Sequence, residues 1–302
     1  MANPWDAEIN ITEELVSTLL SEQFPKIEVK EIELLGRGFD NAVYLINQEY
    51  VFRFPSKQQA VSLLETEGKL LPEISPHFEL ATPCPIFFGE KSSHYPWPFL
   101  GYKELPGSIP KSIPLSARIH TAKPLAQFLK TLHAIPVSKA KELGVPYDEY
   151  ERMNVAKRKV IMEEYIEKVV EMGLWKDEQS LHHYFREGLP CEPLSGREYL
   201  VHGDIHIRNV LTDHNGVVTS IIDWGDVHIG YQAADLSFIY SFLDVEGRKK
   251  FYEIYGDVDE TSKKYARFKA VYISLVLMLY AHDQGDDQLV KDATESLSLS
   301  LK

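Results

Sequence analysis

The spacing of apolar positions changes rhythm along the 302 residues. Residues 11–20 carry apolar side chains at helical intervals. Asn10 stands where an N-cap would stand, with Glu13 three residues on, the spacing of a capping box. From residue 27 the period becomes two, as expected when side chains alternate between the faces of a strand. Residues 27–35 read as one strand with a slip at Lys30-Glu31, 42–46 as a second and 50–54 as a third. Gly36-Arg37-Gly38 forms the first connection and Asn47-Gln48 the next. Helical spacing returns over 58–71, and short strands follow near 86–89 and 99–104. This half predicts an antiparallel sheet carrying one main helix.

Beyond the Pro- and Gly-bearing stretch 106–114 the pattern is helical over 125–133, 150–172, 179–187, 233–242, 248–255 and 263–281. One β-rich island interrupts it at 199–224, with Asn215-Gly216 as a hairpin turn. The expected organisation is an α+β chain of two domains, a β-rich lobe over 1–104 and a helical lobe over 105–302.

Composition narrows the function classes. Hydrophobic residues at 44% and charged residues at 25% are globular values, so a disordered chain is set aside. The net charge of −13 argues against a nucleic-acid partner, because a phosphate backbone needs basic surface. It suits a cationic partner, and equally plain solubility. Cys84 and Cys191 read as free, mostly buried thiols of a reducing compartment. Residues 1–11 lack the basic-then-apolar pattern of a signal peptide, and the apolar stretch 270–281 is shorter than the roughly 20 residues a bilayer span needs. A cytoplasmic protein with no membrane partner is expected.

The chemistry concentrates in the island, in His202-Gly203-Asp204-Ile205-His206-Ile207-Arg208-Asn209 and then Ile221-Ile222-Asp223-Trp224. Phosphoryl transfer needs a carboxylate to orient the attacking hydroxyl and oxygen ligands to hold Mg²⁺ against the phosphates. Asp204 on a tight turn, Asn209 five residues on, and Asp223 returned by the hairpin supply those groups. Hard oxygen donors without cysteine suit Mg²⁺ better than Zn²⁺. The competing reading is a hydrolase metal site from His202, Asp204 and His206, alternate residues of one strand. It lacks a further histidine cluster along the chain.

H-G-D-x-x-x-x-N followed by I-D-W resembles the catalytic loop of the aminoglycoside phosphotransferase family, within the protein-kinase-like fold. The resemblance runs from about residue 30 to 285. It implies a bilobal fold with an antiparallel β-sheet N-lobe carrying one helix and a mainly helical C-lobe. It implies Asp204 as catalytic base, Asn209 and Asp223 as Mg²⁺ ligands, His202 as a structural residue of the loop, and Asp235 as its brace. Gly36-Arg37-Gly38-Phe39-Asp40-Asn41 resembles the G-x-G-x-D-N phosphate loop of the 2″-aminoglycoside branch, with Gly36, Gly38 and Asn41 at the nucleotide, although a third glycine is missing. Arg53 stands where the wider fold has a phosphate-binding lysine, and Glu67, with Glu65 as alternative, where it has the paired glutamate. Residues 99–104 resemble the segment linking the lobes, with Phe99 at the inner edge of the purine and Tyr102 beside it. His133, in Leu132-His133-Ala134-Ile135-Pro136, reads as a helix-end histidine without chemistry.

The donor implied is ATP or GTP and the acceptor a small-molecule hydroxyl. Acidic candidates for a cationic acceptor are Asp226 above all, then Asp244, Glu246, Asp283, Asp286 and Asp287. Tyr272, Leu275 and Leu279 would line an apolar acceptor pocket instead, or be core. Four functions therefore stand: an aminoglycoside-type kinase, a macrolide 2′-kinase, a housekeeping kinase of a sugar, choline-like or amino alcohol, and a catalytically silent nucleotide-binding protein.

Overall fold

The computed structural model describes residues 8–37 and 40–302. Gly38 of the expected phosphate loop lies outside them. Helix α1 (Glu13–Gln23) precedes β1 (Ile32–Arg37), β2 (Asn41–Ile46) and β3 (Tyr50–Pro55). Helix α2 (Gln59–Ile74), β4 (Phe87–Gly89) and β5 (Phe99–Lys103) follow. The strands form one antiparallel sheet in the order β1-β2-β3-β5-β4. Alternation along the strands gives the sheet two faces. One buries Ala42, Tyr44, Ile46, Phe52, Phe54 and Phe99 against Ile11, Val16, Leu19 and Leu20 of α1 and its approach. The other carries Val43, Leu45, Val51 and Tyr102, with Arg53 directly opposite Val43 and Leu100 in register.

Register explains two glycines. Gly101 pairs with Phe52, and Gly89 pairs with Phe99. A Cβ on Gly101 would stand 2.4 Å from the Phe52 ring, and one on Gly89 2.3 Å from the Phe99 ring. Each glycine leaves room for its cross-strand aromatic to lie over it.

Two sequence expectations move. The N-cap of α1 is Thr12, whose hydroxyl accepts from the Leu15 amide, while Asn10 accepts from the Arg37 guanidinium at 2.7 Å. Residues 27–31 do not join β1. The Asn47 side chain accepts from the amides of Lys30 (2.8 Å) and Glu31 (3.1 Å) and donates to the Glu28 carbonyl (2.8 Å). It thereby satisfies groups that a strand ladder would have used.

The remaining elements are α3 (Leu115–Arg118), α4 (Ala122–Ala134), α5 (Val137–Glu142), α6 (Val155–Glu171), α7 (Glu178–His183), β6 (Tyr199–Val201), β7 (Val210–Thr212), β8 (Val218–Ile221), β9 (His228–Gly230), α8 (Ala233–Phe242), α9 (Val245–Tyr255), α10 (Glu260–Asp283) and α11 (Asp287–Ser300). Phe268, Val271, Leu275 and Met278 of α10 pack with Met162 and Ile166 of α6 and with Leu289, Ala293 and Leu297 of α11. Leu275 is thus core rather than pocket lining. The helix expected from residue 150 begins at Val155, because Asn154 caps it and Arg152 is bonded back to Asp148. The chain divides into two units, one of residues up to His77 with Ala81–Leu105, the other of Phe78–Leu80 with Pro106–Lys302. Among the described residues no helix is long and apolar enough to cross a membrane. Both cysteines are free, but Cys191 is exposed and Cys84 only half-buried.

Gly101→Ala forces a methyl into the Phe52 ring, and an overpacked core position of this kind costs about 1–3 kcal/mol. The urea midpoint of the variant should fall accordingly; an unchanged midpoint would mean that the ring is free to move aside.

Candidate active site

The loop between β6 and β7 is shaped at Gly203. Its φ is +86°, and a Cβ there would stand 2.5 Å from the Asp226 carbonyl and 2.6 Å from His228 Nδ1. Only glycine fits, on both backbone and spatial grounds. Next to it, the fully buried His202 donates Nε2–H to the Ile222 carbonyl at 3.0 Å, and its Nδ1 accepts from the Asp204 amide at 3.3 Å. That pattern needs a neutral imidazole. Burial pushes His202 below its ordinary 6.5, against the pull of Asp235, Asp204 and Asp223. The ring lies 4.8 Å from that of Trp224.

Asp235, fully buried at the start of α8, accepts from the amides of His202 (2.9 Å) and Gly203 (2.8 Å) and from His133 Nε2 (3.0 Å). Burial alone would raise its carboxyl; the His133 bond and charge, with His202 and the Gly203 amide, hold it down at about 2. His133 on α4 meets the Tyr255 hydroxyl with Nδ1 at 2.7 Å, and that hydroxyl donates to Gln232. His133 is therefore a positioning group for Asp235, a part that its helix-end place in the sequence did not suggest.

Asp204 is partly buried. Its Oδ2 accepts from Asn209 Nδ2 and lies beside His206 Nε2, both at 3.3 Å. Burial would raise this carboxyl, yet its contact with His206 and the nearby Lys269 ammonium keep it well below the ordinary carboxylate range. Asn209 also donates to the Asp204 carbonyl at 2.9 Å, which commits its amide nitrogen to the loop and turns Oδ1 the other way. The β7–β8 hairpin pairs Val210 with Ile221, and the Ile222 amide donates to the Asn209 carbonyl at 2.9 Å. Asp223 therefore starts from the residue next to Asn209's own partner. Its φ of +63° is a left-handed conformation that costs a non-glycine residue about 1–3 kcal/mol.

Among the described residues no three His, Cys, Asp or Glu side chains stand together as a metal cluster. The hydrolase reading from His202, Asp204 and His206 falls with that, since His202 is spent on Ile222 and Asp204. An Asn–Asp oxygen pair does fit Mg²⁺, which keeps several waters and takes its other ligands from phosphate.

In the sheet-bearing unit, Arg53 donates to Glu67 at 2.8 Å, with both side chains buried and Glu65 exposed. Tyr102 shares the Arg53 face. Phe99 does not: it lies on the opposite face, fully buried against α1, stacked 4.7 Å from Phe54. It is a core residue, and the purine contact expected of it is withdrawn. Among the described residues a Cβ on Gly36 would meet nothing within 4 Å, so none of them demands glycine there. Asn41 Oδ1 is buried with no protein partner among the described residues.

The model of the phosphotransferase enzyme family matches residues 31–271. The chain belongs to that family. Solved structures similar to this phosphotransferase include the GDP complex of an aminoglycoside 2'-phosphotransferase-IIIa, at 25% identity and TM-score 0.67, covering 96% of this chain and 99% of that one. A streptomycin–ATP ternary complex of APH(2")-IIa matches at 19% identity and TM-score 0.60, covering 96% and 97%. A macrolide 2'-phosphotransferase apoenzyme from Brachybacterium faecium matches at 18% and 0.58, covering 95% and 98%. The last two likenesses speak for the kinase-like α+β fold alone.

Three of the six acidic acceptor candidates of this phosphotransferase, Asp226, Asp244 and Asp286, are engaged already. Asp226 accepts from Arg152, which also donates to Asp148 at 2.7 Å. Asp244 and Asp286 cap α9 and α11, accepting from the amides of Gly247 and Leu289. Asp283 ends α10, and at 1.5 Å per residue it lies about 21 Å along the helix from Lys269, whose ammonium reaches Gly203. Tyr272 is one turn from Lys269, half-buried, 5.9 Å from the Tyr165 ring. Lys269 and Arg152 escaped the sequence reading because no motif contains them.

Acid should loosen this phosphotransferase in two windows. His202 is neutral when folded and takes up a proton in the unfolded chain below 6.5, so its contribution is complete above 6.5 and is lost as pH falls below it. The buried His228 adds in the same direction. Asp235 contributes above its ordinary 3.8, and that part is lost as pH falls toward about 2. Urea midpoints measured between pH 7.5 and 5.5 should therefore drop in the native protein and drop less in His202→Gln. Equal slopes would remove His202 from this account.

Proposed function

We propose that this phosphotransferase moves the γ-phosphate of ATP or GTP, with Mg²⁺, onto a hydroxyl of a small-molecule acceptor. Asp204 carries the reading. It is an ionised carboxylate on a turn held from both sides, and no protein donor among the described residues meets its Oδ1. That oxygen would accept the O–H of the acceptor and orient its lone pair toward the γ-phosphorus, the positioning on which phosphoryl transfer mainly depends. Asn209 Oδ1 and the Asp223 carboxylate would hold the metal. Mg²⁺, when bound, supplies neutralisation of the phosphate charge. Arg53, oriented by Glu67, would meet phosphate oxygens in a fork where the wider fold uses lysine. Gly36, Gly38 and Asn41 would let the backbone approach the nucleotide, and Tyr102 would stand near its base.

For the acceptor, an aminoglycoside-type antibiotic is the first reading. It is supported by likeness at 25% identity over nearly the whole chain to an aminoglycoside phosphotransferase. A macrolide is the second, favoured by a specific observation: Asp226 is already paired with Arg152, while Tyr272 and Leu279, two turns apart on α10, are half-buried side chains on one side of that helix. A cationic sugar would need carboxylates that are not already paired. We place the enzyme in the cytoplasm, with its nucleotide, and with neither nucleic acid nor membrane as partner.

The test is nucleotide consumption by the purified protein with Mg²⁺, using ATP and GTP separately, against kanamycin, gentamicin, erythromycin and choline. Asp204→Asn should reduce transfer at least about 10²-fold, the scale for losing a general base, with nucleotide affinity nearly unchanged. Retained turnover would sink the role given to Asp204. Asp223→Asn should weaken Mg²⁺-dependent nucleotide binding; tight metal-dependent binding in that variant counts against its ligand role.

A further inference from the structure

One more charged side chain reaches the Asp204 turn. Lys269 of α10 is 5% exposed, and its ammonium donates to the Gly203 carbonyl and, at 3.2 Å, to the Ala234 carbonyl. The two residues before Asp204 are thus gripped at both kinds of backbone group. Asp235 holds the amides of His202 and Gly203, and Lys269 holds the carbonyl of Gly203. That carbonyl belongs to the peptide whose nitrogen is Asp204's own, so its direction sets where the Asp204 side chain leaves the turn.

Burial works against the charge of Lys269, and the nearby Asp204 and Asp235 carboxylates work for it. A desolvated ammonium costs several kcal/mol unless it is paired. Its helix neighbours Phe268, Val271 and Leu275 are apolar core side chains packed with α6 and α11. Packing therefore does not account for a lysine at this place, whereas a carbonyl that needs a fixed direction does.

We propose that Lys269 is a positioning residue for phosphoryl transfer, holding the Gly203–Asp204 peptide so that Asp204 meets the acceptor hydroxyl in line. The inference rests on the role given to Asp204 above. Lys269 touches neither nucleotide nor acceptor. It acts through the peptide, and its loss disturbs the orientation of Asp204 rather than the binding of substrate.

The experiment uses Lys269→Met, which keeps most of the volume and removes the charge and both donors. Hydrogen–deuterium exchange of the peptide covering residues 202–209 needs no acceptor. It should speed up by about tenfold or more, while peptides of α6 and α11 keep native protection. Unchanged exchange in 202–209 overturns the proposal. With whichever of kanamycin, gentamicin, erythromycin or choline supports turnover, kcat should fall about 10- to 100-fold, the scale of a misplacement near 1 Å, with the nucleotide KM within about twofold. Native kcat, or a loss carried by the nucleotide KM, also overturns it. Asp204→Asn and the double variant run alongside. If Lys269 acts only through Asp204, its replacement adds nothing in the Asp204→Asn background, and full additivity counts against the proposal. Turnover retained in Asp204→Asn would instead remove the role of Asp204 and leave the exchange result standing. Should Lys269→Met fail to fold, Lys269→Gln is measured by the same criteria.

Discussion

The loop between β6 and β7 is organised around one buried carboxylate. Asp235 is removed from water, and an anion so placed must be compensated by donors or lose its charge. It receives two consecutive backbone amides, those of His202 and Gly203, and the His133 ring. Two adjacent amides can converge on one carboxylate only if the chain turns sharply there, which is the turn that Gly203 makes at φ +86°. From that turn follow the positions of Asp204, of His206 and Asn209 around it, and, through His202 and Ile222, of Asp223.

The strain at Asp223 persists for a related reason. Both polar groups of the preceding residue are engaged, the Ile222 amide on Asn209 and its carbonyl on His202, and Trp224 behind is fully buried. Little freedom is left for the backbone to relax into a commoner conformation. The neutral state of His202 belongs to the same arrangement, since a second ring proton would have the Asp204 amide as its neighbour instead of an acceptor. Protonation state, backbone geometry and carboxylate placement are here a single constraint.

Charge counting alone does not locate an acceptor site. A net charge of −13 invites a cationic ligand, but several of the acidic side chains have local employment. Asp177, Asp244, Asp259 and Asp286 each accept a backbone amide at a helix start, and Asp148 and Asp226 share Arg152. A carboxylate that caps a helix is favoured by the N-terminal end of the dipole and need not face any ligand.

The sequence by itself determined the alternating strands, most of the helices and the H-G-D-x-x-x-x-N and I-D-W segments, because each is written in local spacing. Period two or 3.6 follows from backbone geometry, and the hairpin turn follows from Asn215-Gly216. It erred where a side chain competed for the backbone, as Asn47 does at 28–31 and Thr12 does at the start of α1. It erred again at Phe99, since strand spacing shows that alternate residues share a face but not which face meets α1 and which carries Arg53. Helix α11 was missed because its buried positions are largely small or polar, Asp292, Ala293, Ser296 and Ser300 among them. What only the tertiary structure decided is which distant residues meet at the Gly203 turn. His133, Asp235 and Lys269 come from three helices far apart in the chain, and no local pattern records a contact that exists only after those helices have packed.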